Sequence, residues 1–344
     1  MKKIAFIATI FTLLALFIAC NADSEKKNPE QAASNGKKIS VVATIYPQYA
    51  WLKEILGGQA DSLDLTLLIK NGMDLHSYKP SAADIATIAK ADMVVYVGGE
   101  SDEWIEKALE ATPNEKRVQV NLLAALGDCV KAEEVVEGMQ AEEEHHHEHA
   151  EEHEEHHEHE AHAEEVENDE NVWLSLKNAE ILVMALADAI SKVDTAHATE
   201  YHMNAGLYIA KISALDAQYR AAMDSATHKT VLFGDRFPFR YLVDDYGIKY
   251  YAAFVGCSAE SEASFETVAF LANKMDSLKL PAIFTIDGGN GKIAQAVLAA
   301  SKKSKTAEVL TLNSMQSIKT SQMDSASYLD IMRENLEVIK KALK

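Results

Sequence analysis

Residues 194–226 read DTAHATEYHMNAGLYIAKISALDAQYRAAMDSA, and the architecture of the whole chain turns on how this stretch is read. It contains no proline. Tyr201, Tyr208, Ile212, Leu215, Tyr219 and Met223 recur at steps of three, four and seven, which places them on one face of an α-helix. Asp194 is the expected N-cap of that helix. At 1.5 Å per residue it should run for about 45 Å, more than one small α/β lobe needs. The stretch therefore reads as a spine between two lobes, with an ordinary core helix in one large domain as the plainer alternative. A shorter helical run from residue 174 leads into it.

Short apolar runs alternate with helical patterns on both sides of the spine. Upstream, strands are expected at residues 39–45, 63–69, 93–97 and 117–120; downstream, at 230–233, 250–255, 282–286 and 307–312. The predicted fold class is α/β, with two (βα)4-type lobes joined by a long backbone helix. The N-terminal lobe spans 39–193, the linking helix 194–226 and the C-terminal lobe 227–344. Parallel sheets of this kind hold ligands beyond the carboxyl ends of their strands. His76 sits there, in the loop Lys70-Asn71-Gly72-Met73-Asp74-Leu75-His76-Ser77-Tyr78-Lys79-Pro80 after the second strand. A lone histidine is more often an ordinary surface or core residue, but this position makes it a candidate ligand. The Asp287-Gly288-Gly289-Asn290-Gly291-Lys292 run lacks P-loop spacing and reads as a glycine turn capping a helix.

The formal charge of −20 over 344 residues is local in origin. Residues 133–170 carry 18 of the 53 acidic residues and no Lys or Arg, which leaves 35 acidic against 33 basic residues elsewhere. No basic patch remains to neutralise phosphates, so nucleic acid is not an expected partner. The same segment holds nine of the 13 histidines: His145, His146, His147, His149, His153, His156, His157, His159 and His162. Glutamate interleaves them almost throughout. An inert acidic loop would account for the glutamates but not for the imidazoles, which are good ligands for zinc, copper and nickel. An auxiliary, multi-site metal-binding loop is the expectation.

Lys2 and Lys3 precede an apolar run from Ile4 to Ala19 and then Cys20. The run suits a secretory leader rather than a spanning helix. Its Leu16-Phe17-Ile18-Ala19-Cys20 ending resembles a bacterial lipoprotein signal spanning residues 1–20, with cleavage leaving Cys20 as the lipidated first residue and residues 21–38 as a flexible tether. Cys129 and Cys257 are then left in different lobes and form no disulfide framework.

The leader, the two lobes, the spine and the His-rich insertion together resemble the zinc- and manganese-binding lipoproteins of ABC importers, the ZnuA-like family. Gly72-Met73-Asp74-Leu75-His76-Ser77-Tyr78-Lys79-Pro80 matches that family's first ligand motif, and Asp169-Glu170-Asn171-Val172-Trp173-Leu174-Ser175 its second. The resemblance implies His76 as a metal ligand, Asn171 where a histidine is usual, Asp235 at the third histidine position and Asp287 as the acidic fourth. Asn is a poor zinc donor, so the set is oxygen-rich enough to suit manganese; alternatively Glu262, Cys257 or a loop histidine completes a zinc site.

The function so implied is an extracytoplasmic, lipid-anchored, monomeric receptor that captures a divalent metal, zinc first and manganese second, and delivers it to a membrane permease. The runner-up is a metal buffer or adhesin that binds zinc mainly through the His-rich loop. No nucleophile elbow, His-Glu-x-x-His motif or placeable acid/base pair supports an enzyme.

Overall fold

The eight apolar runs become eight parallel strands in two sheets. The first sheet contains β1 (Ser40–Ala43), β2 (Asp64–Leu67), β3 (Met93–Tyr96) and β4 (Val118–Asn121); the second contains β5 (Thr230–Arg236), β6 (Lys249–Phe254), β7 (Ala282–Ile286) and β8 (Glu308–Leu312). Strand order is β2-β1-β3-β4 in one and β6-β5-β7-β8 in the other, so both lobes repeat a single topology. Register is continuous along β1 and β2, from Ser40 opposite Asp64 to Ala43 opposite Leu67. Helices cover both faces, which is why the central strands read as unbroken apolar runs: all four residues of β3 are buried.

This computed structural model describes residues 38–140, 167–258, 260, 262–323 and 325–343. From Lys38 onward they belong to one compact unit. Cys20, the expected leader and tether, and the nine histidines from His145 to His162 lie outside the described residues.

The first sheet is flanked by α1 (Tyr46–Leu56), α2 (Ala82–Lys90), α3 (Glu103–Ala111) and the short α4 (Leu122–Leu126). After the spine come α7 (Arg240–Tyr246), α8 (Phe265–Leu278), α9 (Lys292–Ala300) and α10 (Tyr328–Ala342). Local chemistry sets their starts. Ser81 and Asp84 form a reciprocal capping box on α2, and the Ser264 hydroxyl caps α8. Gly291, at φ 65°, opens α9, the glycine turn expected at that place.

The spine is two antiparallel helices, α5 (Leu176–Val193) and α6 (Ala198–Asp224). With 27 residues, α6 is about 40 Å long. Tyr201, Tyr208, Ile212, Leu215, Tyr219 and Met223 are all buried, as their spacing requires. One detail differs from expectation. The N-cap of α6 is His197, because a 3-10 turn over Thr195–His197 comes first. Asp194 instead spends its carboxylate on the His197 ring, 2.8 Å away, and on the Tyr201 hydroxyl at 2.7 Å, locking the turn between the two helices.

α6 packs against α1, α5, α7 and α10. Trp51 of α1 and Tyr328 of α10 meet edge to face, with centroids 5.2 Å apart. One apolar core consequently runs without a break from β1 and β3 through the spine to Tyr241 and Tyr328, while a smaller one lies under α8 and α9. A junction packed in this way behaves as core rather than as a loose hinge.

Candidate metal centre

The loops at the carboxyl ends of the strands meet between the two sheets. His76 is in a 3-10 turn, Leu75–Ser77, whose cap is Asp74: the Asp74 Oδ1 accepts the His76 backbone N–H at 3.0 Å. From the loop after β3, the Ser101 hydroxyl sits 2.7 Å from His76 Nδ1, and the Ser101 N–H donates to Glu170 Oε1 at 2.9 Å. Gly99, at φ 83°, is what lets this loop come so close. A Cβ there would lie 2.4 Å from Glu170 Oε1. His76 Nε2 is buried with no hydrogen-bond partner, and Glu170 Oε2, which makes no hydrogen bond, lies 3.4 Å from His76 Nδ1; both side chains are only 3% exposed.

Cys257 completes the group from the loop after β6, as a free thiol. Among the described residues, His76, Glu170 and Cys257 are the three whose ligating atoms lie within 4.8 Å of one another. That spacing is on the scale of two zinc–ligand bonds of about 2.0–2.3 Å. Buried donors without partners are costly in a finished core, so their convergence here is the arrangement expected of a cation site. The Ser101 hydroxyl on His76 Nδ1 fixes the ring, as an outer hydrogen bond usually does for histidine ligands. Burial pushes the Cys257 thiol well up, and Asp169, Glu133 and Glu170 add to the effect. Glu133 also accepts the Cys257 N–H at 3.0 Å.

Of the four residues expected as ligands, His76 belongs to this group and Asn171 borders it, its amide nitrogen 3.8 Å from Cys257 Sγ. Asn171 is fully buried, but its amide oxygen accepts from Gln316 Nε2 at 2.6 Å and its nitrogen faces Asp169 and Cys257. Asp235 accepts the backbone N–H groups of Arg236 (3.0 Å) and Ile286 (3.3 Å). Burial raises its pKa. Asp287 receives the Ser314 backbone N–H, the Ser314 hydroxyl at 2.7 Å and the Ser317 hydroxyl, so it clamps the 313–317 loop. All three are engaged by local donors in the structure. Glu262 is exposed and outside the group. Sequence reasoning named Cys257 only as an alternative and passed over Glu170. The available signal was a carboxylate directly beside Asn171, at the position next to the expected histidine.

A second carboxylic acid stands behind the group. Asp102 is fully buried; its Oδ2 accepts the Val97 and Gly98 N–H groups at 2.6 and 3.2 Å, while Oδ1 has no partner. Desolvation pushes its pKa up to about 7, against the opposing pull of those N–H groups. An acid whose folded pKa lies above its unfolded one destabilises the fold fully above the higher value and not at all below the lower. Asp102→Asn should therefore stabilise the metal-free protein at pH 8 by roughly 2–4 kcal/mol, with the gain shrinking toward pH 4. Urea melts of both proteins at pH 8 and 5 check this. An equal difference at both pH values would show that Asp102 is not held as a high-pKa acid.

Comparison with known proteins adds a history to this geometry. The family model described as "ZnuA: Zinc-uptake complex component A periplasmic" matches residues 41–342. The high-affinity zinc uptake system protein ZnuA of Bacillus subtilis is 31% identical, over 97% of this chain and 97% of its own length. The zinc-binding lipoprotein AdcA of Streptococcus pneumoniae is also 31% identical over 99% of this chain, which spans 61% of that relative's length. Among solved structures, the Zn(II)-bound ZnuA-like domain of Streptococcus pneumoniae AdcA superposes with a TM-score of 0.66 at 26% identity, covering 89% of this chain and 99% of that one.

Proposed function

Because the chain belongs to the ZnuA family of zinc-uptake components, we propose that it is the extracytoplasmic receptor of a metal importer, taking up zinc at His76, Glu170 and Cys257. The carrying observation is the convergence of His76, Glu170 and the free Cys257 thiol, with His76 Nε2 and Glu170 Oε2 buried and making no hydrogen bond. Imidazole, thiolate and carboxylate together form a donor set that zinc prefers and manganese does not. Asn171, Asp235 and Asp287, the oxygen donors that would suit manganese, each accept hydrogen bonds within the protein. A membrane permease is the proposed recipient of the cargo. The receptor is proposed to be a lipid-anchored monomer, held at the membrane through Cys20. We take residues 39–193 and 227–344 as its lobes and 194–226 as the link between them.

Capture at this site must displace the Cys257 proton, so affinity should rise with pH by about tenfold per unit for each proton released. Cobalt(II) is the test ion for the donor set. The full-length protein should give a thiolate-to-cobalt charge-transfer band, and Cys257→Ser should remove it and weaken zinc binding. The histidine-rich segment contains no cysteine and cannot give that band. A band that survives Cys257→Ser, or none in the parent protein, would refute the assignment.

A further inference from the structure

We infer that Arg236 is the positioning residue of this site: one guanidinium fixes the three chain segments that carry the donors. The inference rests on the assignment of His76, Glu170 and Cys257 made above. Arg236 ends β5 and its side chain is 13% exposed. It pairs with Asp74, whose other oxygen accepts the His76 backbone N–H. Its Nη1 donates at 3.3 Å to the carbonyl of Ser258, the residue after Cys257. Its Nη2 also donates at 2.8 Å to Gln316 Oε1, and Gln316 passes the connection on through its own amide to Asn171, the residue after Glu170.

Each donor therefore has a neighbour that answers to Arg236. Few side chains can do this, because reaching three acceptors in different directions needs the planar, five-donor fork of a guanidinium; lysine offers a compact point charge instead. Space around the network is tight. A Cβ on Gly256 would lie 2.9 Å from both the Asn171 amide nitrogen and the Phe237 carbonyl oxygen, so the Cys257 loop cannot settle elsewhere without disturbing Asn171. The resemblance puts a third histidine at about Gly234-Asp235, beside this brace at the end of β5.

Charge and position make opposite predictions. A cation beside a divalent ion repels it, so if Arg236 acted through its charge alone, removing it would tighten zinc binding. As a positioning residue it should do the reverse. In the full-length protein, Arg236→Met should weaken zinc by about 10–100-fold, the range for changes just outside the ligand shell, and should shift or broaden the thiolate-to-cobalt band. Arg236→Lys, which restores charge without the fork, should not recover either property. Asp74→Asn cuts the same strut from the other lobe. Its cost in affinity should not add to that of Arg236→Met in the double variant.

Unchanged or tighter zinc binding with an unaltered cobalt spectrum in Arg236→Met overturns the inference, as does a drop in melting temperature alone. Full recovery by Arg236→Lys also overturns it, since charge would then suffice. If Arg236→Met fails to fold, Asp74→Asn decides by the same two readouts. If the parent protein shows no thiolate band, the site assignment has failed and this inference goes with it. A parent band that Cys257→Ser removes but Arg236→Met leaves intact rejects the role of Arg236 alone.

Discussion

His76→Ala should lower zinc affinity by more than the roughly 10–100-fold typical of changes just outside a metal's ligand shell, because it removes a donor outright. The vacated space leaves Ser101 and Glu170 without the imidazole between them, and water is a poor substitute for an aimed nitrogen. Bound zinc stabilises the folded state by RT ln(1 + [Zn]/Kd), about 2.7 kcal/mol at a hundredfold excess over Kd. The parent protein in a chelator-buffered zinc series should show that thermal shift, while His76→Ala should show little of it at the same free zinc. Low free zinc keeps weaker histidine-segment binding from masking the difference. Asp235→Asn and Asp287→Asn should retain most of the shift, since their oxygens serve backbone and serine donors. Loss of the shift in either of those variants but not in His76→Ala would move the site into the C-terminal lobe.

The second large effect concerns stability. Trp173 is completely buried directly after the segment that supplies Glu170. Its indole N–H donates to the Ser314 carbonyl at 2.9 Å, and its own carbonyl accepts the Tyr328 hydroxyl at 2.8 Å. Trp173→Ala removes a large apolar body and orphans the Ser314 carbonyl, so a loss of about 3–5 kcal/mol is expected. Trp173→Phe keeps most of the volume and should lose much less. Chemical denaturation of the metal-free variants gives both numbers. A loss below about 1 kcal/mol for alanine would mean that the region collapses around the gap, contrary to the tight packing described.

These two residues also mark how far the sequence could be read. The strands and the spine were legible because burial of a parallel sheet demands continuous β-branched and aromatic runs, such as Met93 to Tyr96, and because one buried helix face imposes its spacing on Tyr201 to Met223. His76 was legible from its place after a strand. The rest of the site was not, because ligation depends on which polar atoms remain unspent after folding. Asn171 is claimed by Gln316, 145 residues away, and Asp287 by serines 27 and 30 residues further on. No local pattern announces such claims. Asp194 is the N-cap of the 3-10 turn that precedes α6 rather than of α6 itself, and its carboxylate also takes the His197 ring and the Tyr201 hydroxyl.

The two sheets share one strand order, and the donors respect it. His76 follows β2, the second strand of its lobe; Cys257 follows β6, the second strand of the other. Corresponding loops of a repeated unit thus supply an imidazole from one half and a thiol from the other. Such a layout separates two properties that most metal sites entangle. The donor in one repeat can drift between sulfur, nitrogen and oxygen while the other keeps the ion's address, so metal preference can evolve by single substitutions at one loop without rebuilding the scaffold that finds the ion.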